Sequence, residues 1–345
     1  MMGMAIGFYL VKGMNNLVLN CDAHDNYDGY SEGDSGNVDG FGGHTNKETS
    51  TGNIFRGCRA WNNGDDGFDL INCYASYIIE YCWSFRNGYK PHSIESSGGN
   101  GAGFKSGGYG MGDIKKVPNP IPQHTVRYCL AYYNRQQGFY SNHHLGGLIF
   151  ENNTAYKNPS NYNMLNRKSS NEAVDVPGYG HIIKNNLSLS PRNSGGFPQH
   201  LINVDNTLSE IKNNSFAPND LNLSESDFES LNEQELMGSR KSDGSLPDIN
   251  FLRLTNHANF RFSGMGCFIN EEAVDYSWIQ EPAIVLENGV ARIVGEDSKS
   301  FNKFYVNGEE VSIENGIVDL TSMSGELNLK AISENGAVTT LIINK

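Results

Sequence analysis

The sequence predicts an all-β chain, in which a right-handed parallel β-helix is followed by a small antiparallel β-sandwich module. A ten-residue pattern that recurs along the first part of the chain predicts the β-helix. A Gly-Phe pair that recurs between copies of this pattern supports the same architecture. Short alternating strands with Asn-Gly turns, which begin at about residue 280, predict the module.

The recurring pattern has apolar positions, then Cys or Asn, then Ala or Ser two residues later, and finally Asn. Clear copies lie at residues 17–26, 54–63, 78–87, 125–134 and 149–158, and weaker ones at 182–190 and 211–217. The shortest spacing between copies is 24 residues, which fits one coil of a parallel β-helix, and longer spacings fit coils with inserted loops. Alternation along a strand places the Cys or Asn and the Ala or Ser on the inward face.

Three columns of side chains are therefore expected inside the helix. The cysteines of the pattern should be buried thiols, since their spacing fits neither a zinc site nor a disulfide framework. The closing asparagines should form a hydrogen-bonded ladder at a corner, and the phenylalanines should stack after glycines that turn into the next strand. These columns comprise Cys21, Cys58, Cys82 and Cys129; Asn26, Asn63, Asn87, Asn134 and Asn158; and the Gly-Phe pairs at 40–41, 67–68, 103–104 and 138–139.

We predict a catalytic β-helix domain over residues 1–265 and a β-sandwich module over residues 266–345. The repeat fades after about residue 217, and a short helix is expected within LNEQELMGSR. Asn-Gly pairs, a strong hairpin signal, occur at 288–289, 307–308, 315–316 and 335–336.

The first eleven residues are apolar, but they are too short to span a bilayer and lack the features of a signal peptide. We therefore expect that the chain starts inside a folded unit and that a cap and a secretion signal lie upstream. The expected location is secreted, periplasmic or at the cell surface.

The net charge of −13 argues against general binding to nucleic acid or to an anionic membrane, since both need a basic face. We expect no nucleic-acid partner, no membrane insertion and a monomeric protein. An acidic protein can bind an acidic polymer only through a local basic site or a bound cation.

Four aspartates converge when the Gly-Phe pairs are aligned. Asp39 and Asp66 both precede the glycine, while Asp65 and Asp69 flank the second pair in NNGDDGFDL. Coils lie about 4.8 Å apart, so these carboxylates would repel by about 1–4 kcal/mol per pair unless protons or a cation neutralised them. An all-oxygen set favours Ca²⁺. The alternative is a solvated acidic turn.

Lys105 occupies the position of Asp69 one coil further on, in GNGAGFKSGG. Beside a divalent cation its pKa should be lowered, which would make it a general base. The alternative is an ion pair with Asp69. A cation next to a neutral lysine fits β-elimination on a uronic acid, in which the cation stabilises the charge that develops beside the carboxylate as the C5 proton leaves.

These motifs resemble polysaccharide lyase family 9, the family of pectate lyases and rhamnogalacturonan lyases with a parallel β-helix. The resemblance rests on GNVDGFGGH, GNIFRGCRAWNNGDDGFDL and GNGAGFKSGG, and covers about residues 15–260. It implies Ca²⁺ ligands at Asp39, Asp65, Asp66 and Asp69, Lys105 as the base, and an acidic pectic polysaccharide as substrate. His44 departs from the family pattern, so homogalacturonan and rhamnogalacturonan I both stay open.

Substrate contacts are predicted for a few further residues. His44, Tyr140, His143 and His144 follow Gly-Phe pairs, and Arg59 could pair with a substrate carboxylate. Two other functions compete: a polygalacturonase-type hydrolase with Asp65 and Asp66 as acid and base, and a calcium-stabilised β-helix that binds carbohydrate without catalysis.

Overall fold

The computed structural model describes residues 6–29, 36–110, 117–192, 199–269, 283–287, 289–295, 298–314, 316–334 and 336–345. The chain divides into two compact units, Met1–Leu236 with Asp248–Ile269, and Met237–Pro247 with Asn270–Lys345. The asparagines of three predicted Asn-Gly turns, at 288, 315 and 335, lie outside the described residues, as do residues 1–5.

The first unit is a parallel β-helix, as predicted, and its described coils run through three parallel sheets. Strand numbers follow the chain, whereas the order within each sheet is the order in space. Sheet A contains β1 (Phe8–Leu10), β4 (Phe41–Gly43), β7 (Phe68–Asp69), β10 (Phe104–Lys105), β13 (Gln137–Tyr140), β16 (Ser160–Asn163) and β21 (Leu201–Ile202). Sheet B contains β2 (Leu17–Leu19), β5 (Asn53–Arg56), β8 (Tyr77–Glu80), β11 (Thr125–Arg127), β14 (Ile149–Glu151), β19 (Ile182–Lys184) and β22 (Glu210–Lys212). Sheet C contains β20 (Leu187–Leu189), β15 (Thr154–Tyr156), β12 (Leu130–Tyr132), β9 (Trp83–Phe85), β6 (Arg59–Trp61) and β3 (Asp22–His24).

Each coil turns at two corners through a residue with positive φ. Between sheets B and C these residues are Asn20, Gly57, Tyr81, Tyr128, Asn152, Asn185 and Asn213. After sheet C they are Asp25, Asn62, Arg86, Tyr133 and Lys157. Bulky side chains rarely adopt this conformation, so the surrounding structure must hold the backbone there. The residue after each of them points inward and belongs to a repeated column.

The predicted asparagine ladder is confirmed. Each Nδ2 donates to Oδ1 of the next asparagine, at 2.7 Å from Asn26 to Asn63, 2.9 Å to Asn87, 3.0 Å to Asn134 and 3.1 Å to Asn158. A second ladder continues the cysteine column from the backbone of Cys129 through Asn153 and Asn186 to Asn214. Because these groups are buried, each hydrogen bond ties one coil to the next at a defined height.

The predicted phenylalanine stack is also present. Ring centroids of Phe41, Phe68, Phe104 and Phe139 are 4.8 to 5.0 Å apart along the column. Phe8 and Tyr162 extend the stack at its two ends, at 5.0 and 4.9 Å. Phe8 follows Gly7, so it completes a further Gly-Phe pair beyond the four predicted.

The glycines of these pairs are needed for space rather than for a turn conformation. A Cβ on Gly67 would lie 2.8 Å from the carbonyl oxygen of Gly103 and 2.9 Å from Nδ2 of Asn87. Gly40 and Gly138 have equivalent neighbours, and none of the three has a positive φ. Only a residue without a side chain lets the asparagine ladder pass this close to the next strand.

The cysteines of the pattern are structural thiols, as expected. Cys58, Cys82 and Cys129 are completely buried and Cys21 is partly buried. All six cysteines of the chain lie among the described residues, and none of them forms a disulfide bond. Burial raises the pKa of the Cys58 and Cys82 thiols, which keeps them protonated and unreactive.

A polar segment after the last coil covers sheet C. It contains 3₁₀ helices at Glu225–Asp227, where the sequence predicts none, and at Glu233–Met237, where it predicts a short helix. Helix α1 (Asn256–Arg261) follows. Phe251 of this segment packs edge-on against Tyr132, with ring centroids 5.1 Å apart.

One coil carries an inserted antiparallel hairpin, formed by β17 (Leu165–Ser169) and β18 (Glu172–Pro177). In the second unit, β23 (Ala283–Glu287), β24 (Val290–Val294) and β27 (Ile317–Asp319) form one antiparallel sheet. The other contains β26 (Glu309–Val311), β25 (Phe301–Val306), β28 (Glu326–Ser333) and β29 (Val338–Asn344), and a 3₁₀ helix spans Ser298–Ser300. Apolar residues of both sheets share one core, as the β-sandwich prediction requires.

Replacing Asn87 tests the ladder. Asn87→Ala removes the oxygen that accepts from both N and Nδ2 of Asn63, and it removes one of the two donors to Asn134 Oδ1. The free energy of unfolding should therefore fall by about 1–3 kcal/mol. Chemical denaturation measures the loss. Asn259→Ala, on the exposed face of α1, is the control and should change stability by no more than about 0.5 kcal/mol. Similar losses in both variants would contradict the ladder's role.

Candidate metal and catalytic site

A single outward-facing row on sheet A positions the candidate site. The phenylalanines point inward, so the residue after each of them points out of the helix. The register pairs Gly42 with Asp69, Asp69 with Lys105, and Lys105 with Tyr140. The structure thus brings together the residues that the alignment of Gly-Phe pairs places in one row.

Three buried carboxylates lie together beside this row. Ligand oxygens of Asp39, Asp66 and Asp69 are all within 4.8 Å of one another. Backbone N–H groups hold one oxygen of each: Asp66 N donates to Asp39 at 3.0 Å, Ala102 N to Asp66 at 2.6 Å, and Ile71 N to Asp69 at 2.8 Å. This anchoring orients the carboxylates toward a shared centre.

Asp65 is next to this group, but its carboxylate holds the surrounding loops. Its Oδ2 accepts a hydrogen bond from Asn37 N at 2.7 Å, and its Oδ1 accepts from Asn100 N and Gly101 N. A carboxylate has about four lone-pair positions, so three donors leave one position for another partner. The predicted ligand role of Asp65 stays a prediction.

The carboxylates are too close for all of them to ionise freely. Burial, followed by the charges of Asp69, Asp66 and Asp65, raises the pKa of Asp39 well above its usual range. Burial also raises the pKa of Asp66 to about 7, against the opposing charge of Lys105. Oδ2 of Asp66 is buried and faces the ammonium of Lys105, whose Nζ is 3.0 Å away. An all-oxygen group with this excess of negative charge suits a hard cation such as Ca²⁺.

Lys105 contacts two of the three carboxylates. Its Nζ lies 3.0 Å from Asp66 Oδ2 and 3.0 Å from Asp69 Oδ2. Burial lowers the pKa of Lys105, but the charges of Asp66 and Asp69 outweigh burial and hold it well above the usual range. This direction is opposite to the one predicted for a lysine beside a cation. The ion pair with Asp69, which is the alternative interpretation of the sequence, is present.

His44 also lies near the carboxylate of Asp69. Its Nε2 is 3.9 Å from Asp69 Oδ2, and its Nδ1 is 3.3 Å from Tyr9 Oη. Burial lowers the pKa of His44, so the neutral imidazole is favoured. The predicted site residue His44 is therefore part of the same cluster.

Tyr140 and His143, also predicted site residues, form a hydrogen-bonded chain with an acid that the sequence patterns do not predict. Tyr140 Oη lies 3.0 Å from His143 Nε2, and His143 Nδ1 lies 2.6 Å from Asp175 Oδ1. Asp175 is on β18, opposite Arg167 of β17, whose Nη2 is 3.8 Å away. The only signal for this hairpin in the sequence is the 33-residue spacing between Asn153 and Asn186, which predicts an inserted loop but not its contacts.

Two predicted substrate contacts lie elsewhere. His144 is completely buried, where its Nδ1 accepts from Gly108 N and its Nε2 donates to the Pro122 carbonyl. Arg59 is on sheet C and also buried, paired with Asp22 and bonded to the Leu236 carbonyl. Both side chains are engaged inside the protein, which corrects their prediction as groove residues.

Two family comparisons match this chain. The family described as "Pel9A-like, right handed beta helix region" matches residues 2–213, and the one described as "Rhamnogalacturonan lyase-like, C-terminal" matches residues 205–340. They confirm the resemblance inferred from the three motifs and the right-handed β-helix fold. No helix in the described ranges is long and apolar enough to cross a membrane.

Curated relatives include pectate lyases from bacteria and fungi. Pectate lyase L of Dickeya chrysanthemi is 35% identical over 265 residues, covering 77% of this chain and 54% of the relative. Pectate lyase PEL9 of Emericella nidulans is 28% identical over 263 residues, covering 71% and 57%. The chain spans about half the length of the curated relatives it matches.

Two solved structures of lyases are similar to this chain. A rhamnogalacturonan lyase matches with a TM-score of 0.72 and 56% identity, covering 77% of this chain and 64% of the other. The crystal structure of pectate lyase Pel9A matches with a TM-score of 0.55 and 33% identity, covering 72% and 56%.

The buried position of His144 predicts a pH effect on stability. Burial lowers its pKa from 6.5 to about 4, so between these pH values the unfolded chain takes up a proton that the folded chain does not. This contribution makes the folded state less stable as the pH falls from 6.5 to 4. His144→Asn removes it, so the destabilisation of this variant relative to wild type should shrink toward pH 4, by at most about 1.4 kcal/mol per pH unit. Unfolding curves across this range measure the gap, and a constant gap would contradict the assignment.

Proposed function

Because the chain belongs to the Pel9A-like right-handed β-helix family, we propose that it is a calcium-dependent polysaccharide lyase that cleaves galacturonate-containing pectin by β-elimination. The observation that carries this proposal is the contact of Lys105 Nζ with Asp66 and Asp69, 3.0 Å from each, within a group that also includes Asp39. A base and a neighbouring group of carboxylates that can bind a cation are the two parts that this reaction requires.

Lys105 is the proposed base that removes the proton on C5. Its side chain is mostly buried, and its ammonium is held between the carboxylates of Asp66 and Asp69. An ammonium has no lone pair, so the reaction requires that this group be deprotonated when substrate is bound. A bound calcium ion would neutralise the aspartates that hold the ammonium form and would pair with the substrate carboxylate, stabilising the charge that develops during proton removal.

The proposed ligands are the predicted aspartates. Asp39, Asp66 and Asp69 already have their oxygens together, and their backbone hydrogen bonds fix their orientation. Asp65 would contribute through the lone-pair position that its three backbone donors leave. Carboxylate oxygens in this number are typical of Ca²⁺ sites, whereas a zinc site would include nitrogen or sulfur.

Rhamnogalacturonan I is the proposed polymer. The solved rhamnogalacturonan lyase is 56% identical, whereas pectate lyase L and Pel9A are 35% and 33% identical. The match of residues 205–340 to a rhamnogalacturonan lyase-like C-terminal family supports the same choice. Such polymers lie outside cells, which supports action in a secreted, periplasmic or surface location, and we keep the prediction of a monomer.

The hydrolase and the non-catalytic binder make different demands on these residues. A hydrolase would use Asp65 and Asp66 as acid and base, yet backbone N–H groups occupy most of the Asp65 carboxylate. It would also leave Lys105 without a role. A binder that uses calcium only for structure would need the aspartates but not the lysine.

Calcium should stabilise the folded protein through the aspartate group. A ligand at 100 times its dissociation constant adds about 2.7 kcal/mol to the free energy of unfolding, so thermal unfolding should shift upward in calcium relative to EDTA. Asp66→Asn keeps an oxygen for Ala102 N but removes the charge, and should lose most of this shift. Asp205→Asn, an exposed turn residue, should retain it. A shift of equal size in both variants would place calcium elsewhere.

Lys105→Ala should lower the formation of unsaturated uronide by at least about 10²-fold, the usual contribution of a general base. Ultraviolet absorbance of the product measures this on rhamnogalacturonan I and homogalacturonan in parallel, with and without EDTA. Lys184→Ala is the control, since this lysine pairs with Glu151 on sheet B.

Each competing function has its own result in this assay. New reducing ends without ultraviolet absorbance would indicate hydrolysis. Polymer binding without any product would indicate a non-catalytic protein. Undiminished product from Lys105→Ala would exclude the lysine as the base, and faster cleavage of homogalacturonan would overturn the proposed substrate.

A further inference from the structure

The hydrogen-bonded series Tyr140–His143–Asp175 ends beside Lys105, the proposed base. Tyr140 is the direct register partner of Lys105 on the neighbouring strand, and both side chains leave the same face of sheet A. Neighbouring strands are about 4.8 Å apart. The tyrosine hydroxyl is therefore available to the same sugar residue that Lys105 reaches.

The polar ends of these two side chains are drawn apart. Lys105 Nζ contacts Asp66 and Asp69 of the preceding coil, whereas Tyr140 Oη is held by His143 of its own coil. In a galacturonate ring the C5–H and C4–O bonds point to opposite faces. Elimination therefore needs one group to take the proton from C5 and a different group, on another side of the ring, to donate a proton to the leaving oxygen.

The two hydrogen bonds form a path along which a proton can pass from His143 to Tyr140. Asp175 is a carboxylate and only accepts, so His143 Nδ1 carries a hydrogen at the 2.6 Å contact. With a second hydrogen on Nε2, the imidazolium donates to Tyr140 Oη, which leaves the phenol hydrogen free to point at substrate. Burial, followed by the charge of Asp175, raises the pKa of Tyr140 to about 12, which keeps the phenol protonated before reaction.

We propose that Tyr140 donates the proton to the C4 oxygen that leaves during elimination, with His143 and Asp175 as positioning residues behind it. This proposal rests on the proposed lyase function and identifies the general acid of that reaction. It follows from the register of Tyr140 with Lys105 and from the two hydrogen bonds that link Tyr140, His143 and Asp175.

The proposed step balances. Lys105 takes the proton from C5, and the electrons of that bond form the C4–C5 double bond as the C4–O bond breaks. The leaving oxygen receives the phenol proton, and Tyr140 regains one from His143 Nε2. The enzyme ends with a protonated lysine and a neutral histidine, which exchange protons with water before the next turnover.

The inserted hairpin of β17 and β18 positions the acid of this hydrogen-bonded series. It delivers Asp175 to His143, and Arg167 lies on the facing strand, 3.8 Å from the same Asp175 oxygen. The groups that face His143 are thus Tyr140 on its own coil and Asp175 on the hairpin, with Arg167 behind the acid.

A change of leaving group tests the proposal directly. Fluoride leaves without a proton, so a galacturonide with fluorine on C4 should not need the donor. Tyr140→Phe should lower kcat on rhamnogalacturonan I by about 10²–10⁴-fold, but change turnover of the fluorinated galacturonide by less than about threefold. Lys105→Ala should lose activity on both substrates. Tyr305→Phe, which removes a hydroxyl hydrogen-bonded to Glu310 in the second unit, is the matched control.

Variants of the positioning residues extend the test. His143→Gln and Asp175→Asn should show the same dependence on the leaving group, with lower kcat and little change in KM. Glu172→Gln, which alters an exposed ion pair of the same hairpin, is their control and should leave both substrates unaffected. Circular dichroism and thermal unfolding confirm that each variant is folded.

The outcomes separate the proposal from the function on which it rests. If wild type forms no unsaturated product from either substrate, the lyase function fails and the donor with it. If wild type is active and Tyr140→Phe slows both substrates equally, or neither, the lyase function stands and the donor role is overturned.

Discussion

The site depends on the vertical alignment of the coils, and buried amide hydrogen bonds set that alignment. Asn63, Asn87 and Asn134 each accept from the coil on one side and donate to the coil on the other. A shift of one residue in any coil would break these bonds and reverse which side chains face outward. The outward row of Asp69, Lys105 and Tyr140 therefore exists only because the inward columns leave no other register.

The same constraint explains how the fold tolerates a concentration of negative charge. Repulsion among Asp39, Asp66 and Asp69 would separate them on a flexible loop, but in the β-helix backbone donors and stacked strands hold each one in place. Burial and the neighbouring carboxylates raise the pKa of Asp39 and of Asp66, although the charge of Lys105 opposes this effect. The stability of the β-helix is thus used to keep together groups that would otherwise move apart, as a cation site requires.

What could be predicted from the sequence follows the repetition of the coils. Inward positions repeat, so the asparagine and phenylalanine columns can be aligned, and the alignment then places Asp69 next to Lys105. Outward positions do not repeat. The pattern predicts His144 at the surface with Tyr140 and His143, but it lies inside because the chain turns back at Asn142 and His143, both with positive φ. Arg59 is predicted at the surface, and the segment around Leu236, far along the chain, covers it.

Long insertions between copies of the pattern are where a repeated fold can acquire a specific function. The hairpin of β17 and β18 adds no inward residue to either ladder, and the coils on each side of it remain in register, as the bond from Asn153 to Asn186 shows. Asn166 of β17 is buried and hydrogen-bonded to His181, whereas β18 contains no buried residue. Strand β18 can therefore place an acid against His143 without altering the strands that carry Lys105 and Tyr140. The coils supply the groups that need accurate spacing along the helix axis. The insertion supplies a partner from the side, which no register between coils could provide.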